Sequence, residues 1–501
     1  MRHVRDEAAM SQPDGALRAM SERIALARQA QILWAEKTVL QRCRWLRRFR
    51  SWLVERSGDW IAVIDREVGK TREECLATEI LPFAAACAHL ARSAPRLLAP
   101  RKARGTPLFL AGGRDHVHRR PRGVVGIIGT WNYPLILSGI QIVQAVVAGN
   151  AVIFKPSEKA PDCGKFLIEG LLEAGLPDGL VTILDADAAS GEALVEADID
   201  HLVFTGSKAI GARIAQALAP RLISSSLELS GHDALFVLDD ADAVQAARAA
   251  WFGSLANQGR TCMGTRRCLV APAALDLFRQ TLAKLAGNSP AMVQGRPSGA
   301  NERAAHARAL ADAAVASGAR WLIGAPEGNH TPFILENVTA EMRVWREDLF
   351  VPLLAIMTCP NEASMLEADA ACPFALGAAI FGSEKRAGLL ASRLRAGLVT
   401  INDVLIAAGH PDTPIGGRGA SGWGSTQGAE GLLEMTVPQV VRVSTGTFRP
   451  HYDMVIPNHA DMGDLLESFL RMDHARSWVS RIGAAFSVPF RAFAWWRGQA
   501  K

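Results

Sequence analysis

Short, uniformly apolar segments alternate with helical patterns from residue 123 onward. The clearest examples are GVVGIIG at residues 123–129 and AVIFK at residues 151–155, with a helical pattern at 140–148 between them. Strands that are apolar at every position, rather than at every second one, are typical of parallel sheets covered on both faces. The alternation therefore predicts an α/β fold in which helices cover parallel strands.

The alternation continues in two runs. The first adds a helix at 165–174, strands at 180–184 and 201–205, and a helix at 209–218. The second begins at Asp233, with strands at 234–238, 266–271, 376–381 and 398–402 and helices at 242–255, 273–285 and 304–316. Because 501 residues exceed what one hydrophobic core normally supports, we expect two parallel-sheet domains with a ligand cleft between them.

The two ends of the chain lack this alternation. Residues 19–95 show helical spacing, and a basic stretch at 100–121 separates them from the first strand. After His474 the tail carries Arg and Lys among Trp and Phe, with no acidic residue. Such a pattern suits a membrane headgroup region, whereas packing on the body or on a partner subunit is the commoner alternative. Three tail aromatics share one helical face, namely Phe486, Phe490 and Phe493, although Pro489 is expected to break or kink a helix there.

Composition argues against several other classes of protein. A net charge of +5 over this length does not indicate nucleic-acid binding. The eight cysteines form no CxxC pair or zinc-like spacing, which is typical of reduced thiols in a cytosolic protein and predicts no metal site. The N-terminus lacks the apolar core of a signal peptide, and the uncharged run 123–154 is broken by Asn, Gln, Pro and Gly. We therefore expect a cytoplasmic protein without a spanning helix.

Cys262 is the candidate nucleophile. It follows a Gly-containing turn, NQGRT, after the helix at 242–255, and such a turn can hold a thiol exposed. A thiolate is the strongest nucleophile among ordinary side chains. A lone cysteine is more often a small buried hydrophobic residue, so the assignment depends on partners elsewhere in the chain.

Two polar residues in or after apolar strands are candidate partners. Asn132, in GTWNYP, can donate to an oxyanion, although a loop Asn more often caps its own turn. Glu228, in LELSG, is costly to bury unless it is used, and desolvation would raise its pKa toward that of a general base. An outward-facing strand residue is the alternative for Glu228, and alone it is about as common.

Two further segments suit a nucleotide. Lys155, in FKPSE, ends a strand and can reach ribose or phosphate oxygens, unless it is a solvated strand end. FTGS at residues 204–207 opens a helix that continues past Gly211. Small residues at a helix N-terminus favour a phosphate, because the first N–H groups are free and the helix dipole is positive there.

Taken together, these segments resemble the aldehyde dehydrogenase superfamily over roughly residues 20–445. The motifs that carry the resemblance are PRGVVGIIGTWNYPL, AGNAVIFKPSE, LVFTGS, LELSG, NQGRTC, EDLF-P and PIGG…SGWG. Each is weak alone, but their joint order and spacing are specific. The late segment INDVLIAAGHPDTPIGG is most similar to the class 3 and fatty-aldehyde branch. The resemblance implies an α/β fold with two Rossmann-like domains and a small β oligomerisation arm.

The resemblance also implies a mechanism. Cys262 attacks the aldehyde carbon, Asn132 and the Cys262 backbone N–H hold the oxyanion, and hydride leaves to the nicotinamide to give a thioester. Glu228 then activates the water that releases the carboxylic acid. The expected activity is NAD(P)-dependent oxidation of an aldehyde. The similarity to the fatty-aldehyde branch and the apolar residues of the tail both favour an apolar aldehyde.

The cofactor-binding residues implied by the resemblance are Trp131, Lys155, Ser157, Glu158, Gly206, Ser207, Gly211, Asp348 and Phe350. Lys155 and Glu158 would contact the adenine ribose, Trp131 would line the cleft and Ser207 would face the pyrophosphate. A carboxylate near the ribose accepts from its hydroxyls and repels a 2′-phosphate. NAD is therefore favoured, while NADP use stays open because a Glu side chain can swing away.

Several positions depart from the family pattern. Arg260 stands where the family has Gln, and it either lowers the thiol pKa as a cation or points to solvent. The other departures are His232 for Lys, Asp348 for the Glu that contacts the nicotinamide ribose, Val351 for Gly and Ile415 for Phe. The substitutions at positions 260, 232 and 348 motivate the alternative of a non-catalytic scaffold, against which the intact Cys262, Glu228 and Asn132 argue. A CoA-acylating enzyme is disfavoured, because Glu228 serves attack by water.

The implied domain boundaries follow the same resemblance. A cofactor-binding domain is expected at 1–107 and 120–231, and a catalytic domain at 232–424. Residues 108–119 and 437–446 would form the arm that pairs subunits into a homodimer or homotetramer. Residues 447–501 would be a separate tail.

Overall fold

The computed structural model describes residues 12–107, 110, 112–288, 300–323, 332–445, 452 and 460–498. The chain forms two compact units. The larger extends to Leu98 and resumes over Arg120–Val437, and the smaller contains Ala99–Arg119 and the chain from Pro438. Both parallel sheets and every predicted site residue lie in the larger unit.

The N-terminal part of the larger unit is helical, as its spacing predicts. Its helices are α1 (Gln12–Ala35), α2 (Val39–Glu55), α3 (Ser57–Val68), α4 (Arg72–Cys75) and α5 (Leu81–Leu97), with a π-helical turn at Leu76–Ile80. The chain breaks between α1 and α2 because Thr38 and Gln41 form a reciprocal capping box at the start of α2. Among the described residues, only the run Arg72–Leu97 is long and apolar enough to cross a membrane, and 44% of its apolar 18-residue window is buried inside the protein.

A six-stranded sheet follows, in the order β17-β7-β6-β3-β4-β5. Its strands are β3 (Val124–Ile128), β4 (Ala151–Lys155), β5 (Val181–Ile183), β6 (His201–Gly206), β7 (Ser224–Leu229) and β17 (Gly422–Trp423). All pairs are parallel except β17 with β7. The connecting helices are α6 (Ile136–Ala148), α7 (Pro161–Glu173), α8 (Ala188–Glu196) and α9 (Lys208–Leu218). Every residue of β3 and β4 is buried, as expected for strands covered on both faces.

The second sheet has seven strands in the order β10-β11-β12-β9-β8-β14-β15. They are β8 (Asp233–Val237), β9 (Thr265–Val270), β10 (Arg320–Ile323), β11 (Phe333–Glu336), β12 (Leu353–Thr358), β14 (Gly377–Phe381) and β15 (Leu398–Ile401). The helices of this region are α10 (Ala243–Leu255), α11 (Pro272–Asn288), α12 (Ala300–Ala316), α13 (Glu362–Ala370) and α14 (Glu384–Ala391). All strand pairs are parallel except β10 with β11. Both sheets confirm the predicted fold class. The sequence prediction missed β10, β11 and β12.

Short elements, most of them after β15, complete the larger unit. Strand β13 (Phe374–Ala375) pairs with β16 (Arg418–Gly419), and α15 (Gly428–Glu434) follows β17. An isolated bridge joins Ile415 to Thr426. These elements return the chain from the second sheet to the first, because β17 pairs with β7.

The smaller unit combines a sheet with a helical hairpin. Its three strands, in the order β1-β2-β18, are β1 (Arg101–Lys102), β2 (Gly113–Pro121) and β18 (Thr436–Ser444). The helices α16 (Ala460–His474) and α17 (Trp478–Gly498) pack on each other. The predicted break at Pro489 is wrong, because α17 continues through it. Ser487 and Arg491, on either side of the proline, both hydrogen-bond to α16 and hold the two halves of α17.

Candidate active site

A cavity of about 1140 Å³ lies in the larger unit, lined by residues from both parallel sheets. All the predicted site residues except Gly211 line it. Gly211 lies instead where α9 approaches β7, and a Cβ there would overlap the side chain of Leu229. Glycine at position 211 therefore allows α9 to pack closely on β7, and the residue does not line the cavity.

The turn before Cys262 has an unusual backbone. Asn257, Gln258 and Gly259 are consecutive left-handed residues, with φ of 49°, 58° and 73°. A Cβ on Gly259 would overlap the backbone at Val351 and Pro352, so glycine is required there. The turn ends the helical course of α10 and brings Cys262 to the cavity. All eight cysteines lie in the described residues, and Cys262 alone is not buried.

Asn132 lies between the first sheet and this turn. Thr130 Oγ1 donates to Asn132 Oδ1 at 2.7 Å, which fixes the orientation of the amide. Asn132 Nδ2 then donates to the Arg260 carbonyl at 2.9 Å, and Asn257 Nδ2 donates to the Asn132 carbonyl at 2.8 Å. The amide has a second N–H, and the residue lines the cavity beside Cys262. These hydrogen bonds do not fit the alternative in which Asn132 caps its own turn.

Glu228 lies in β7, where it pairs with Thr205 of β6 and Gly422 of β17. It is 5% exposed, so the outward-facing alternative is wrong. Its Oε2 accepts a hydrogen bond from Thr426 Oγ1 at 3.4 Å, while Oε1 is buried without a hydrogen-bond partner. Burial raises the pKa of Glu228 to about 7. A carboxylate with this pKa can accept a proton near neutral pH.

Arg260 fits neither of the two alternatives that the sequence left open. It is buried rather than solvent-exposed, and its guanidinium donates to the Val68 carbonyl at 2.8 Å and to the carbonyl and side chain of Asn257. It does not lower the pKa of Cys262. Burial, with the carboxylates of Glu228 and Asp233, raises the pKa of that thiol well above its ordinary value. The role of Arg260 in the structure is to brace the turn.

The residues predicted for the adenine ribose and the pyrophosphate surround one end of the cavity. Lys155 is 3% exposed and forms an ion pair with the more exposed Glu158, so it is not a solvated strand end. Ser157 is also buried and lines the same wall. Ser207 is the N-cap of α9, with its hydroxyl accepting from the N–H of Ile210, and Gly206 precedes it.

Trp131 lies between three cations. Lys159, Arg303 and Arg260 stand over its indole ring at 5.0, 5.2 and 5.6 Å from the ring centroid. Such contacts fix the ring, since the face of an indole attracts cations. Phe350 packs edge-on against Trp131, and Asp348 lines the same cavity wall. Among the residues that the structure describes, no cluster of His, Cys, Asp and Glu suits a metal ion.

Comparison with known proteins agrees with this geometry. The sequence model of the aldehyde dehydrogenase family matches residues 2–441. The chain belongs to the aldehyde dehydrogenase family. The prediction of an NAD(P)-dependent oxidoreductase is therefore confirmed.

Curated relatives in the family bear different names. A 4,4'-diapolycopene aldehyde oxidase of Methylomonas sp is 34% identical over 430 residues, which are 84% of this chain and 80% of the relative. A putative succinate-semialdehyde dehydrogenase [NADP(+)] of Mycobacterium tuberculosis is 32% identical over 443 residues, or 86% of this chain and 85% of the relative. The resemblance to the class 3 branch stays a prediction.

Solved structures of the family match the fold. One is an aldehyde dehydrogenase of Mycobacterium tuberculosis complexed with NAD+, with a TM-score of 0.79 and 25% sequence identity. The match covers 86% of this chain and 92% of that one.

Sequence reasoning missed several members of this aldehyde dehydrogenase's cavity. Thr426 holds one oxygen of Glu228, and Arg303 and His306 enter the cavity from α12. None of these lies beside a predicted strand end, so the pattern held no signal for them. Of the departures from the family pattern, His232 is buried, and its Nε2 lies 3.1 Å from the Val344 carbonyl.

Proposed function

We propose that the protein oxidises an apolar aldehyde to the carboxylic acid through a covalent thioester on Cys262. The observation that carries the proposal is that Cys262, Asn132 and Glu228 share one cavity although they come from three separate elements. Oxidation to an acid needs a nucleophile, an oxyanion donor and a base that releases the acyl group. These three residues have the chemistry for those roles.

The first step is activation of the thiol. Because the Glu228 carboxylate is one cause of the raised thiol pKa, moving the Cys262 proton to Glu228 neutralises the carboxylate as the thiolate forms. The thiolate then attacks the aldehyde carbon, and the C=O bond becomes an oxyanion. The second N–H of Asn132 Nδ2 and the Cys262 backbone N–H donate to that oxyanion.

The second step needs a hydride acceptor, which bound NAD(P)+ supplies. Loss of hydride from the carbon leaves an acyl thioester on Cys262. Glu228, once it has returned its proton to solvent, takes a proton from water, and the resulting hydroxide attacks the thioester. The acid leaves and Cys262 is protonated again, so atoms and electrons balance.

NAD is the favoured cofactor of this chain. Lys155 is occupied by its ion pair with Glu158, and a 2′-phosphate would have to displace that carboxylate. The ribose hydroxyls of NAD instead can donate to Glu158 while Lys155 stays in place. The N-terminus of α9, with Gly206 and Ser207, suits the pyrophosphate.

The side chains around the nucleophile support an apolar substrate. Cys262 packs against a small apolar cluster formed by Met263, Leu376 and Ile415, on which Leu405 and Ala408 also pack. Ile415, which replaces the family's common Phe, is smaller than an aromatic ring. Apolar side chains beside Cys262 suit an aliphatic or aromatic aldehyde better than the anion of succinate semialdehyde. This also agrees with the class 3 and fatty-aldehyde branch that the sequence favours.

A panel of aldehydes of increasing chain length, assayed with NAD and with NADP, tests the proposal by the formation of the reduced cofactor. We expect the catalytic efficiency to rise with chain length, and Cys262→Ala to abolish turnover. Cys359→Ala removes a buried cysteine outside the cavity and is the matched control. Turnover that survives in Cys262→Ala would refute the nucleophile.

The same panel separates the alternatives. A non-catalytic scaffold would bind the cofactor yet form no thioester with any aldehyde, and mass spectrometry of the intact protein detects that difference. A CoA-acylating enzyme would release acyl-CoA when CoA is present.

We propose that the sheet of the smaller unit is the oligomerisation arm, which pairs subunits in a homodimer or homotetramer. β18 stands at the edge of the three-stranded sheet, and all its residues after Thr436 are exposed. A long exposed edge offers free N–H and C=O groups to a second strand. Sedimentation of the full chain and of a Val441→Pro variant tests this, since a proline on the pairing edge should dissociate the oligomer.

We also propose that α17 attaches the protein to an anionic membrane surface. Phe486 and Phe490 are 73% and 76% exposed, and Phe493 and Trp478 lie on the same side of the helix. The opposite side, with Val488 and Trp495, is buried. α17 therefore has a second apolar face, and it carries arginines but no acidic residue, which suits anionic headgroups.

Flotation with vesicles of phosphatidylcholine and phosphatidylserine tests this attachment. Full-length protein should float, whereas Phe486→Ser/Phe490→Ser should not. The control is Ile32→Ser/Leu33→Ser, which removes exposed apolar residues from α1. Equal flotation of the two double variants would contradict the attachment. A shift in oligomer mass with Phe486→Ser/Phe490→Ser alone would instead assign the face to a second copy.

A further inference from the structure

A fully buried ion pair lies beneath the active-site loops. Lys70 and Glu79 have side chains that are 1% and 0% exposed, and Lys70 Nζ is 2.7 Å from Glu79 Oε1. Glu79 Oε2 also accepts the backbone N–H of Ile136 at 2.9 Å, near the start of α6. Burying two charges costs desolvation free energy that their attraction often fails to offset, so this pair is weak evidence of stabilisation. Its contacts indicate another use.

The ion pair lies directly against Tyr133. Lys70 Nζ stands 3.5 Å from the centroid of the Tyr133 ring, a close cation–π contact of a fully buried ammonium. The Tyr133 hydroxyl is 2.7 Å from Thr261 Oγ1. Thr261 already donates its single hydroxyl proton to the Ala256 carbonyl at 3.0 Å. Tyr133 must therefore be the donor to Thr261, which agrees with the raised pKa that burial gives the phenol.

Tyr133 and Thr261 are the chain neighbours of the reacting groups. Tyr133 follows Asn132, the proposed oxyanion donor, and Thr261 precedes Cys262. One ion pair is thus connected to both sides of the site through a single aromatic ring.

The chain just before Lys70 holds the same turn. The Val68 carbonyl accepts from Arg260 at 2.8 Å, and the Gly69 carbonyl accepts from Gln258 Nε2 at 3.2 Å. Gln258 is one of the left-handed residues of the turn. Val68, Gly69 and Lys70, at the end of α3, therefore all contact either the turn before Cys262 or the loop that carries Tyr133.

We propose that Lys70 and Glu79 are positioning residues, which set the distance between Cys262 and Asn132 by fixing the ring of Tyr133. The proposal rests on the proposed function of Cys262. Neither side chain touches substrate or cofactor. The ammonium of Lys70 attracts the ring face, Glu79 fixes the ammonium, and the phenol O–H fixes Thr261.

Rapid-mixing measurement of thioester formation in the holoenzyme tests this. Single substitutions would leave one buried charge unpaired, so the variant is Lys70→Met/Glu79→Leu, which replaces the pair with apolar side chains of similar length. We expect the first-turnover rate of NADH formation to fall by about 10- to 100-fold, because small misplacements of reacting groups cost that much. The Kd for NAD should be unchanged.

A double-mutant cycle with Tyr133→Phe tests whether the ion pair acts on Cys262 through the Tyr133 hydroxyl. That variant keeps the ring over Lys70 but removes the donor to Thr261. We expect it to slow the first turnover by itself and to add little in the Lys70→Met/Glu79→Leu background, because both changes cut the same connection. If the ion-pair variant does not fold, Tyr133→Phe and Thr261→Val alone decide, since a normal first turnover in both refutes the route.

Alkylation of Cys262 by iodoacetamide gives a second readout, because Cys262 is the one cysteine that is not buried. The rate should change in the ion-pair variant. Arg42→Met is the control, since Arg42 is buried and donates to the backbone carbonyls of Ala35, Lys37 and Val147, away from the cavity. It should lower Tm without slowing the first turnover.

Two results would overturn the inference. One is a normal first-turnover rate in the folded ion-pair variant, and the other is full additivity with Tyr133→Phe. Absence of any aldehyde-dependent reduction of NAD or NADP by the wild-type protein would instead refute the proposed function itself.

Discussion

Glu228 and Cys262 face one cavity, and the carboxylate of Glu228 affects the pKa of the Cys262 thiol. Burial raises the pKa of Glu228 to about 7, and the Glu228 carboxylate contributes to the raised pKa of the thiol. Thr426 holds one carboxylate oxygen, and the other is unpartnered within the described structure. In the resting state the thiol of Cys262 is therefore protonated, and Glu228 is partly ionised near neutral pH.

The pH dependence of thioester hydrolysis should follow the pKa of Glu228. Protonated Glu228 cannot accept a proton from water, so kcat should be low at acidic pH and rise through about pH 7 to a plateau wherever hydrolysis limits turnover. A pH profile of kcat at saturating aldehyde measures it. A kcat that stays constant from well below to well above neutrality would contradict the assignment of Glu228.

Glu228→Gln separates the two chemical steps. The amide keeps the shape of the side chain but cannot act as a base, so steady-state turnover should fall by about 10²- to 10⁴-fold. Loss of the negative charge also removes one cause of the raised thiol pKa. Solvent can then accept the thiol proton in place of Glu228, so a first burst of reduced cofactor should still form. Glu169→Gln, on the exposed side of α7, is the control. Loss of the burst only in Glu228→Gln would show that no other base can take the proton of Cys262.

At the scale of elements, the turn between α10 and β9 decides where Cys262, the proposed nucleophile, lies. Three left-handed residues in succession are unusual, and only the third is glycine. Hydrogen bonds from Asn257, Gln258 and Arg260 to other segments hold this conformation. The strain of the turn is therefore stabilised from outside, by the loop after β3 and by the end of α3.

Gly259→Ala tests this element. A Cβ there would meet the backbone of Val351 and Pro352 and would favour the wrong sign of φ, so the turn has to move. We expect aldehyde oxidation to fall by about 100-fold or more, since the nucleophile shifts with the turn. Thermal unfolding should show a lower Tm.

Gly388→Ala is the matched control for that variant. Gly388 lies inside α14, where a Cβ has open space around it, so alanine should stabilise the protein by about 0.5–1 kcal/mol. Normal activity in Gly259→Ala would show that the turn does not set the position of Cys262.

At the scale of the whole molecule, the cavity unites groups that lie far apart in the chain. The first sheet contributes Asn132, Lys155 and Glu228, whereas Cys262 precedes a strand of the second. The strand β17 returns from the second half of the chain to pair with β7, which brings Thr426 to Glu228. Ligands that fill the cavity therefore contact parts of both sheets.

Cofactor binding should consequently stabilise the larger unit. NAD at 100 times its Kd should raise the free energy of unfolding by about 2.7 kcal/mol. NADP at the same concentration should stabilise less, because its 2′-phosphate meets Glu158. Glu158→Gln should reduce the difference, since it also frees Lys155 for the phosphate. Thermal shift assays measure this, and a greater shift with NADP in the wild-type protein would contradict the NAD preference.

Several buried strands could be located from the sequence. β3, β4, β8 and β9 were predicted within one or two residues, because strands buried on both faces contain a continuous apolar run. Such a run did not suffice for β11 and β12, which are also largely apolar but were missed. The helix through Pro489 was also misjudged, because contacts with α16 outweigh the local preference of proline to end a helix.

The sequence by itself determined the alternating α/β order and indicated Cys262, Asn132 and Glu228 as candidate site residues. Both are written in local patterns: apolar runs for strands, and motifs at their ends. The tertiary structure alone decided what those residues experience. The pKa of Glu228, the bracing by Arg260 and the Lys70–Glu79 pair under Tyr133 arise from burial and from contacts between distant segments. Spacing along a chain does not encode them, because solvation and charge depend on what lies nearby in three dimensions.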